Sequence, residues 1–423
     1  MAIRHKDEKL LDMYSRHFDI IKNVAFLFVE KLVFIVLIFY SEAIISRALG
    51  VQDYGKWLYS VNLVILVSSL ALVVGSEVTV PALSRHQKLQ WHVLTSSFLV
   101  RFVFSCLAFL IINTYNYLFV DDSVISQMVT SLSFILLLTE PFGVIVNYYQ
   151  ARIAIGYVVL SRVFALVVRA LTITFALWFS YKGLVYFSRA IEAIMLASLL
   201  SILIIKDGGN WIFSKKITKA VLFRGLKLWL PLVLMYVYMR SDRIFVERYL
   251  GFDDLAMYGV AIQIFEQLGL LVGIIIQSIG PRFIFKKVAQ PKWKIISFIL
   301  VITVCVQTVS AIWLPPFIGY IYGDNFNKAT SMAAYMLPAL IFYSLDVVYM
   351  QYIYRDKLYK LLLVKWLLML IFGFSAYYIW FTILGATSIV HIFNFNYVIM
   401  FLITMLLYRY YNKQRINNII EAV

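Results

Sequence analysis

Charge is scarce in this 423-residue chain: Asp, Glu, Lys and Arg together make up 14% of it, against about a quarter in soluble domains. With 62% of residues hydrophobic and a mean hydropathy of +0.85, the chain could not cover its surface in water. Lipid is the solvent that fits. Cysteine is equally rare. Cys106 and Cys305 both lie inside apolar runs, which excludes a disulfide framework or a thiolate metal site and reads as small core hydrophobes. The sequence has no Gly-rich phosphate loop, no ligand cluster at metal spacing and no nucleophile–base arrangement. No polar stretch is long enough for a soluble domain. These absences argue against an enzyme, such as a membrane polymerase or acyltransferase, and no cofactor is expected.

What is there is a succession of apolar runs. A helix needs about 20 mostly apolar residues to cross the hydrocarbon core. Such runs fall near 24–46, 57–80, 93–118, 124–149, 156–179, 183–205, 222–246, 255–279, 293–314, 329–353, 359–381 and 386–408. They are continuous and lack the ten-residue alternation of a barrel, so the fold class is all-α and polytopic, with about twelve transmembrane helices. The first 22 residues are charged and have no apolar core with a cleavage site, so no signal peptide is read. Leu10, Leu11, Tyr14, Phe18 and Ile21 recur there at helical spacing, which fits either an amphipathic surface helix or a disordered tail.

The formal charge of +16 lies in short loops rather than on a nucleic-acid-binding face. Arg4, Lys6, Lys9, Arg16, Lys22, Arg85, Lys88, Arg152, Lys206, Lys215, Lys216 and Lys219 fall on one side. Arg282, Lys286, Lys287, Lys292, Arg355, Lys357, Lys360, Arg409, Lys413 and Arg415 follow on the same side. The other side has Arg47, Lys56, Lys182, Arg248 and Lys328, with acids at Asp121 and Asp122. This bias predicts that both termini are cytoplasmic.

Two loops repeat. LGVQDYGKW (49–57) follows the first span and LGFDDLAMY (250–258) follows the seventh. Both read Leu-Gly-apolar-x-Asp with an aromatic four residues after the Asp, both open the next span, and that span ends at a proline, Pro81 or Pro281, before basic residues. A duplicated six-helix unit predicts this placement. An even number of spans per unit makes it a parallel repeat, two pseudo-symmetric bundles with a site between them. The expected units are 1–205 and 222–423, joined by a polar cytoplasmic linker, 206–221.

The segments ISRALGVQDYGKWLYSVNLVIL and GSEVTVPALSR resemble the first hairpin of the bacterial polysaccharide-repeat-unit flippases (Wzx-type, O-antigen transporters). RSDRIFVERYLGFDDLAMYGVA resembles the same family's seventh and eighth helices. That family belongs to the multidrug/oligosaccharidyl-lipid/polysaccharide exporter (MOP) superfamily, with the multidrug and toxic-compound extruders (MATE) and the lipid II flippases. The resemblance implies a MATE-like fold in a bacterial inner membrane. It implies a substrate of undecaprenyl-diphosphate-linked oligosaccharide, a polysaccharide or lipopolysaccharide repeat unit, moved to the periplasmic leaflet by alternating access. Neighbouring glycosyltransferases and a polysaccharide polymerase would be its partners beside membrane lipids. A MATE-like multidrug exporter is the alternative, and would want a cavity rich in acids and aromatics and poor in arginine.

Charges inside the spans point to a polar interior. Each costs roughly 2.5–3.5 kcal/mol at mid-bilayer unless it faces a cavity or a partner. The chain keeps Lys31, Arg101, Arg162, Arg169, Arg189, Arg240, Arg243 and Lys365, and against them Glu30, Glu42, Glu77, Glu140, Glu192, Asp242, Glu266 and Asp346. Guanidinium groups suit bidentate phosphate binding. Arg101, Arg162, Arg169, Arg240 and Arg243 are therefore the expected substrate-binding set, with structural ion pairs or snorkelling as the plainer reading for each. Arg189 and Glu192, at i and i+3, should neutralise each other, and Glu30 and Lys31 should pair with neighbouring helices. Glu140, just before Pro141, with Glu266 and Asp346, are the expected coupling carboxylates for a proton or sodium gradient, again against the plainer reading of ion pairs. His391 is a further candidate proton acceptor, against the plainer reading of a lone histidine that is simply hydrogen-bonded. Trp57, Trp91, Trp211, Trp293, Trp313 and Trp380 read as an interfacial belt, and Tyr236 and Tyr238 as belt or sugar-stacking residues.

Overall fold

A computed structural model describes residues 31–85, 87–152, 154–284, 292–356, 358–385 and 389–420. The expected amphipathic N-terminal segment, Glu30, Lys286 and Lys287 lie outside them. Among the described residues the chain is helical throughout. The first half holds α1 (Lys31–Leu49), α2 (Val51–Ser68), α3 (Ser76–Arg85), α4 (Gln90–Phe119), α5 (Ser123–Ala151), α6 (Gly156–Trp178) and α7 (Lys182–Lys206). The second holds α8 (Lys215–Leu250), α9 (Phe252–Phe283), α10 (Lys292–Tyr322), α11 (Asn327–Met336), α12 (Ala339–Arg355), α13 (Tyr359–Leu384) and α14 (Ile389–Ile420). The polar stretch 206–221 has helix at both its ends, since α8 already starts at Lys215.

Ten of these helices are long and apolar enough to cross a membrane, and two bent pairs bring the number to twelve. The pairs are α2 with α3, bent by 42° after a 3-10 turn at Ser69–Ala71, and α11 with α12, bent by 50°. Hydropathy reads both as continuous spans; local chemistry breaks them. Ser68 Oγ and Ser69 Oγ turn back to the carbonyls of Ile65 and Leu66, at 2.7 and 2.6 Å, in competition with the helical ladder. Gly75 follows, and Pro81 and Pro281 lie close to the ends of α3 and α9, at Arg85 and Phe283.

A bend in a membrane needs partners for the carbonyls it frees. Trp229 Nε1 of α8 donates to Leu70 O at 3.1 Å, and Arg101 Nε of α4 to Val74 O at 2.7 Å. At the second bend, Gln307 Nε2 donates to Leu337 O, while Asn394 Nδ2 donates to Tyr335 O at 2.8 Å and its Oδ1 accepts from Ala339 N at 3.1 Å. Both interruptions are thereby closed by side chains from other helices.

The two copies of the loop motif share one backbone conformation. Gly50 ends α1 at φ 79°, ψ 173°, and Gly251 ends α8 at φ 84°, ψ −177°, a region open in practice only to glycine. The Asp three residues on is paired in each half: Asp53 with Lys182 at 2.9 Å, Asp254 with Lys328. A further bridge, Lys56–Asp122 at 2.7 Å, ties α2 to the start of α5. Asp122 also caps α5, accepting from the backbone N–H groups of Val124 and Ile125. Partial burial works to raise the Asp122 carboxyl, but Lys56 and the two N–H donors outweigh it and hold the group below its ordinary value.

The two halves meet where α2 runs along α9, near Gly50 and Gly251. A carbon added at Gly55 would sit 2.0 Å from the Phe252 carbonyl oxygen, and one at Gly259 would sit 2.3 Å from Leu58. Small residues let helix backbones approach in this way within a membrane. Tyr59 stands edge-on to Phe252 at 5.9 Å, Asn62 Nδ2 donates to Arg240 O at 2.9 Å, and Arg47 of α1 donates to Tyr320 O and Ile321 O at the end of α10. Gly55→Val should therefore prise α2 from α9. With Cys106 and Cys305 replaced by Ser, a Leu58→Cys reporter should go from slow to fast maleimide labelling when Gly55→Val is added. Unchanged labelling would show that this contact does not hold the halves together.

Candidate functional site

The charged side chains of the spans collect in four places. In the first half, Glu42 of α1 is 1% exposed and receives Arg169 Nη2 of α6 and Arg189 Nη2 of α7 on the same oxygen, each at 2.9 Å. Its second oxygen lies within reach of Trp57 Nε1 (3.4 Å) and Tyr54 OH (3.5 Å). Arg169 Nη1 continues to Glu192 Oε2 at 3.4 Å. Arg189 and Glu192 thus pair elsewhere rather than with each other. A fully buried carboxylate needs several donors, and that need outranks spacing along one helix.

In the second half, Arg243 of α8 bonds Asp242 at 3.1 Å and Glu266 of α9 at 2.7 Å, and Arg240 reaches the same Glu266 oxygen at 3.3 Å. Tyr258 OH donates to Asp242 at 2.9 Å. Trp57 and Tyr258 are the aromatic residues of the repeated loop motif, so in each half that residue donates to a buried acid on the helix before it. Trp57, expected in the interfacial belt, is instead wholly buried, whereas Trp211, Trp293 and Trp313 stay exposed as a belt requires.

The third place is the α2–α3 bend. Arg101, beside its bond to Val74 O, donates to Glu140 O at 3.0 Å and stands 4.0 Å from the Glu140 carboxylate. The fourth is a closed pair: Lys365 Nζ bonds both oxygens of Asp346, at 2.8 and 2.7 Å, Thr404 donates to the same carboxylate, and Trp366 covers the ammonium at 4.6 Å. Lys365 is 1% exposed.

The structure therefore brings Arg240, Arg243 and Glu266 together at the contact between halves, where Glu266 keeps 41% of its side-chain surface accessible. Arg169 is enclosed within the first half. Arg162 lies on the same helix, half-buried. Asp346 is enclosed by its own lysine. His391 is exposed on the bundle surface, Cys305 is exposed, and Cys106 is half-buried, so neither cysteine is a core residue as expected. Tyr238 packs on Trp366 at 6.0 Å. Among the described residues no His, Cys, Asp and Glu side chains group as a metal site would require.

Solved structures resemble the chain over nearly its whole length. One is a MOP superfamily transporter from Pyrococcus furiosus said to have a binding pocket of reverse polarity, with TM-score 0.63, 11% identity, and 91% of this chain and 94% of that one covered. An inward-facing multidrug resistance MATE family transporter has TM-score 0.65 at 11% identity, with 92% and 96% covered. The lipid II flippase MurJ, in an inward closed conformation, has TM-score 0.66 at 11% identity, with 92% and 86% covered. The fold is MATE-like. No family model and no curated protein matches the sequence, so the likeness is one of fold.

The Asp346–Lys365 pair lends itself to a stability test on this MATE-like scaffold. Removing one partner leaves a buried charge uncompensated and should cost about 3–5 kcal/mol, while removing both is far milder. Lys365→Met and Asp346→Asn should each melt well below the parent in detergent, and the double variant should recover most of the difference. A double variant that melts no higher than the worse single one would rule this pairing out.

Proposed function

We propose that this chain is a transporter of the MOP superfamily that flips a diphosphate-linked oligosaccharide lipid across a bacterial inner membrane. The observation that carries the reading is the Arg240–Arg243–Glu266 group at the contact between the halves, in which Glu266 is exposed, Arg240 partly so and Arg243 buried behind them. A guanidinium pair already sharing one carboxylate oxygen can exchange it for phosphate oxygens. Support comes from the likeness to a lipid II flippase and from the sequence resemblance to oligosaccharide flippases. The Lys and Arg bias puts the Gly50/Gly251 end outside, so the α2–α9 contact closes the periplasmic side and substrate loads from the cytoplasm. Alternating access then means rocking the halves about that contact.

Arg240 and Arg243 are the foremost of the five proposed substrate arginines. Arg101 holds the bend that rocking would flex, and Arg169 and Arg162 act from within the first half. Of the proposed coupling carboxylates, Glu140 has the loosest partner and is best placed to exchange a proton or sodium ion. Glu266 would couple through its arginines, and Asp346 is already neutralised by Lys365.

One observation favours a multidrug exporter instead: Glu77, Arg101 and Glu140 together carry one more acid than base. A proteoliposome assay separates the two. Arg240→Ala should slow flipping of a diphosphate-linked oligosaccharide lipid by about tenfold, the loss of one charged hydrogen bond. Unchanged flipping in Ala variants of all five arginines would sink the reading, and cationic dye export without lipid flipping would favour the exporter.

A further inference from the structure

Arg189 is the one guanidinium of the first half's network that borders open space. A cavity of about 160 Å³ between α2, α5 and α7 has Arg189, Glu140, Thr139 and Ser68 in its lining. The rest of the lining is aliphatic, Val61, Val64, Leu132 and Leu136 among it. In such surroundings a single charge acts more strongly than in water. Arg169, by contrast, has only 4% of its side chain accessible and is held between Glu42 and Glu192.

Arg189 also has bonding capacity to spare. Of its five N–H donors, one meets Glu42 at 2.9 Å, and its buried Nε has no hydrogen-bond partner. Its side chain is 26% exposed, and the Trp57 ring 5.9 Å away supports the guanidinium. Glu42, for its part, would not be stranded without Arg189. Arg169 stays on the shared oxygen, and Trp57 and Tyr54 stay beside the other.

From this geometry we infer that the cavity is an oxyanion subsite with Arg189 as its binding group, and that Glu42 is a resident competitor for that guanidinium. An incoming phosphoryl or carboxylate oxygen takes Arg189 Nε and Nη2, and Glu42 withdraws onto Arg169. No bond is made or broken beyond hydrogen bonds. The inference rests on the proposed transport of an anionic lipid-linked sugar and adds a residue that helical spacing assigns to Glu192 instead.

Calorimetry on the whole protein in nanodiscs, with inorganic pyrophosphate and glucuronate as probes, tests it. The parent should bind one probe or both. Arg189→Gln should weaken binding by about tenfold or more, and Arg189→Lys, which keeps the charge but not the fork, by less. Glu42→Gln should tighten binding, because the competitor is gone. A preference for pyrophosphate assigns the site to the substrate's diphosphate, and a preference for glucuronate to an acidic sugar. Should Arg189→Gln or Glu42→Gln fail to fold, as judged by melting, the smaller loss expected in Arg189→Lys carries the result. Parent-like affinity in Arg189→Lys, or weakened affinity in Glu42→Gln, overturns the subsite. If Arg240→Gln abolishes pyrophosphate binding while Arg189→Gln leaves it intact, this inference fails and the transport reading stands. If the parent binds neither probe, both fail.

Discussion

A carboxylate enclosed by hydrocarbon has to be met by donors from wherever the chain can supply them, and Glu42 is where that demand is greatest. Two arginines and two aromatic side chains from α2, α6 and α7 converge on it, so one residue of α1 sets how these helices stand against one another. Asp242 takes the same part in the second half with Tyr258 and Arg243, and Asp346 with Lys365 and Thr404. Each group combines acids with bases, as low-dielectric surroundings require. The interior is polar, and most of its polarity is already spoken for.

The two halves keep the positions of their interactions more faithfully than the chemistry. The glycines after α1 and α8 share one backbone conformation. The aromatic residue of the loop motif meets an acid in both halves, as an indole in one and a phenol in the other. The Asp three residues after that glycine is bridged to a lysine in both halves, Asp53 to Lys182 of α7 and Asp254 to Lys328 of α11. The position of the acid is kept, while the lysine comes from a different helix in each half.

Much of the architecture could be read from the sequence. Helical spans follow from apolar windows about 20 residues long, and the nine-residue match of LGVQDYGKW to LGFDDLAMY pointed to two loops that share one backbone conformation. The two bends escaped because hydropathy does not register a serine hydroxyl competing for a helix carbonyl. Trp57 was misread because an aromatic residue near a span end looks the same whether it meets headgroups or a buried acid. Its recurrence as Tyr258 was the signal that could have told them apart. The ion pairs escaped for another reason: Glu42 and Arg189 are 147 residues apart, and spacing can propose only neighbours on one helix. Arg240, Arg243 and Glu266 were each expected, but their meeting at one oxygen is a product of the tertiary fold.

Gly55 against the Phe252 carbonyl has a consequence for how the molecule can open. At that point main chain presses on main chain, and a contact of this kind depends on no side-chain rotamer. The ionisable groups beside it, Lys56 and Asp254, already have partners in Asp122 and Lys328. For a molecule that rocks as proposed, this is a place to pivot rather than a latch: it can roll, but it offers no single bond whose breaking would release it.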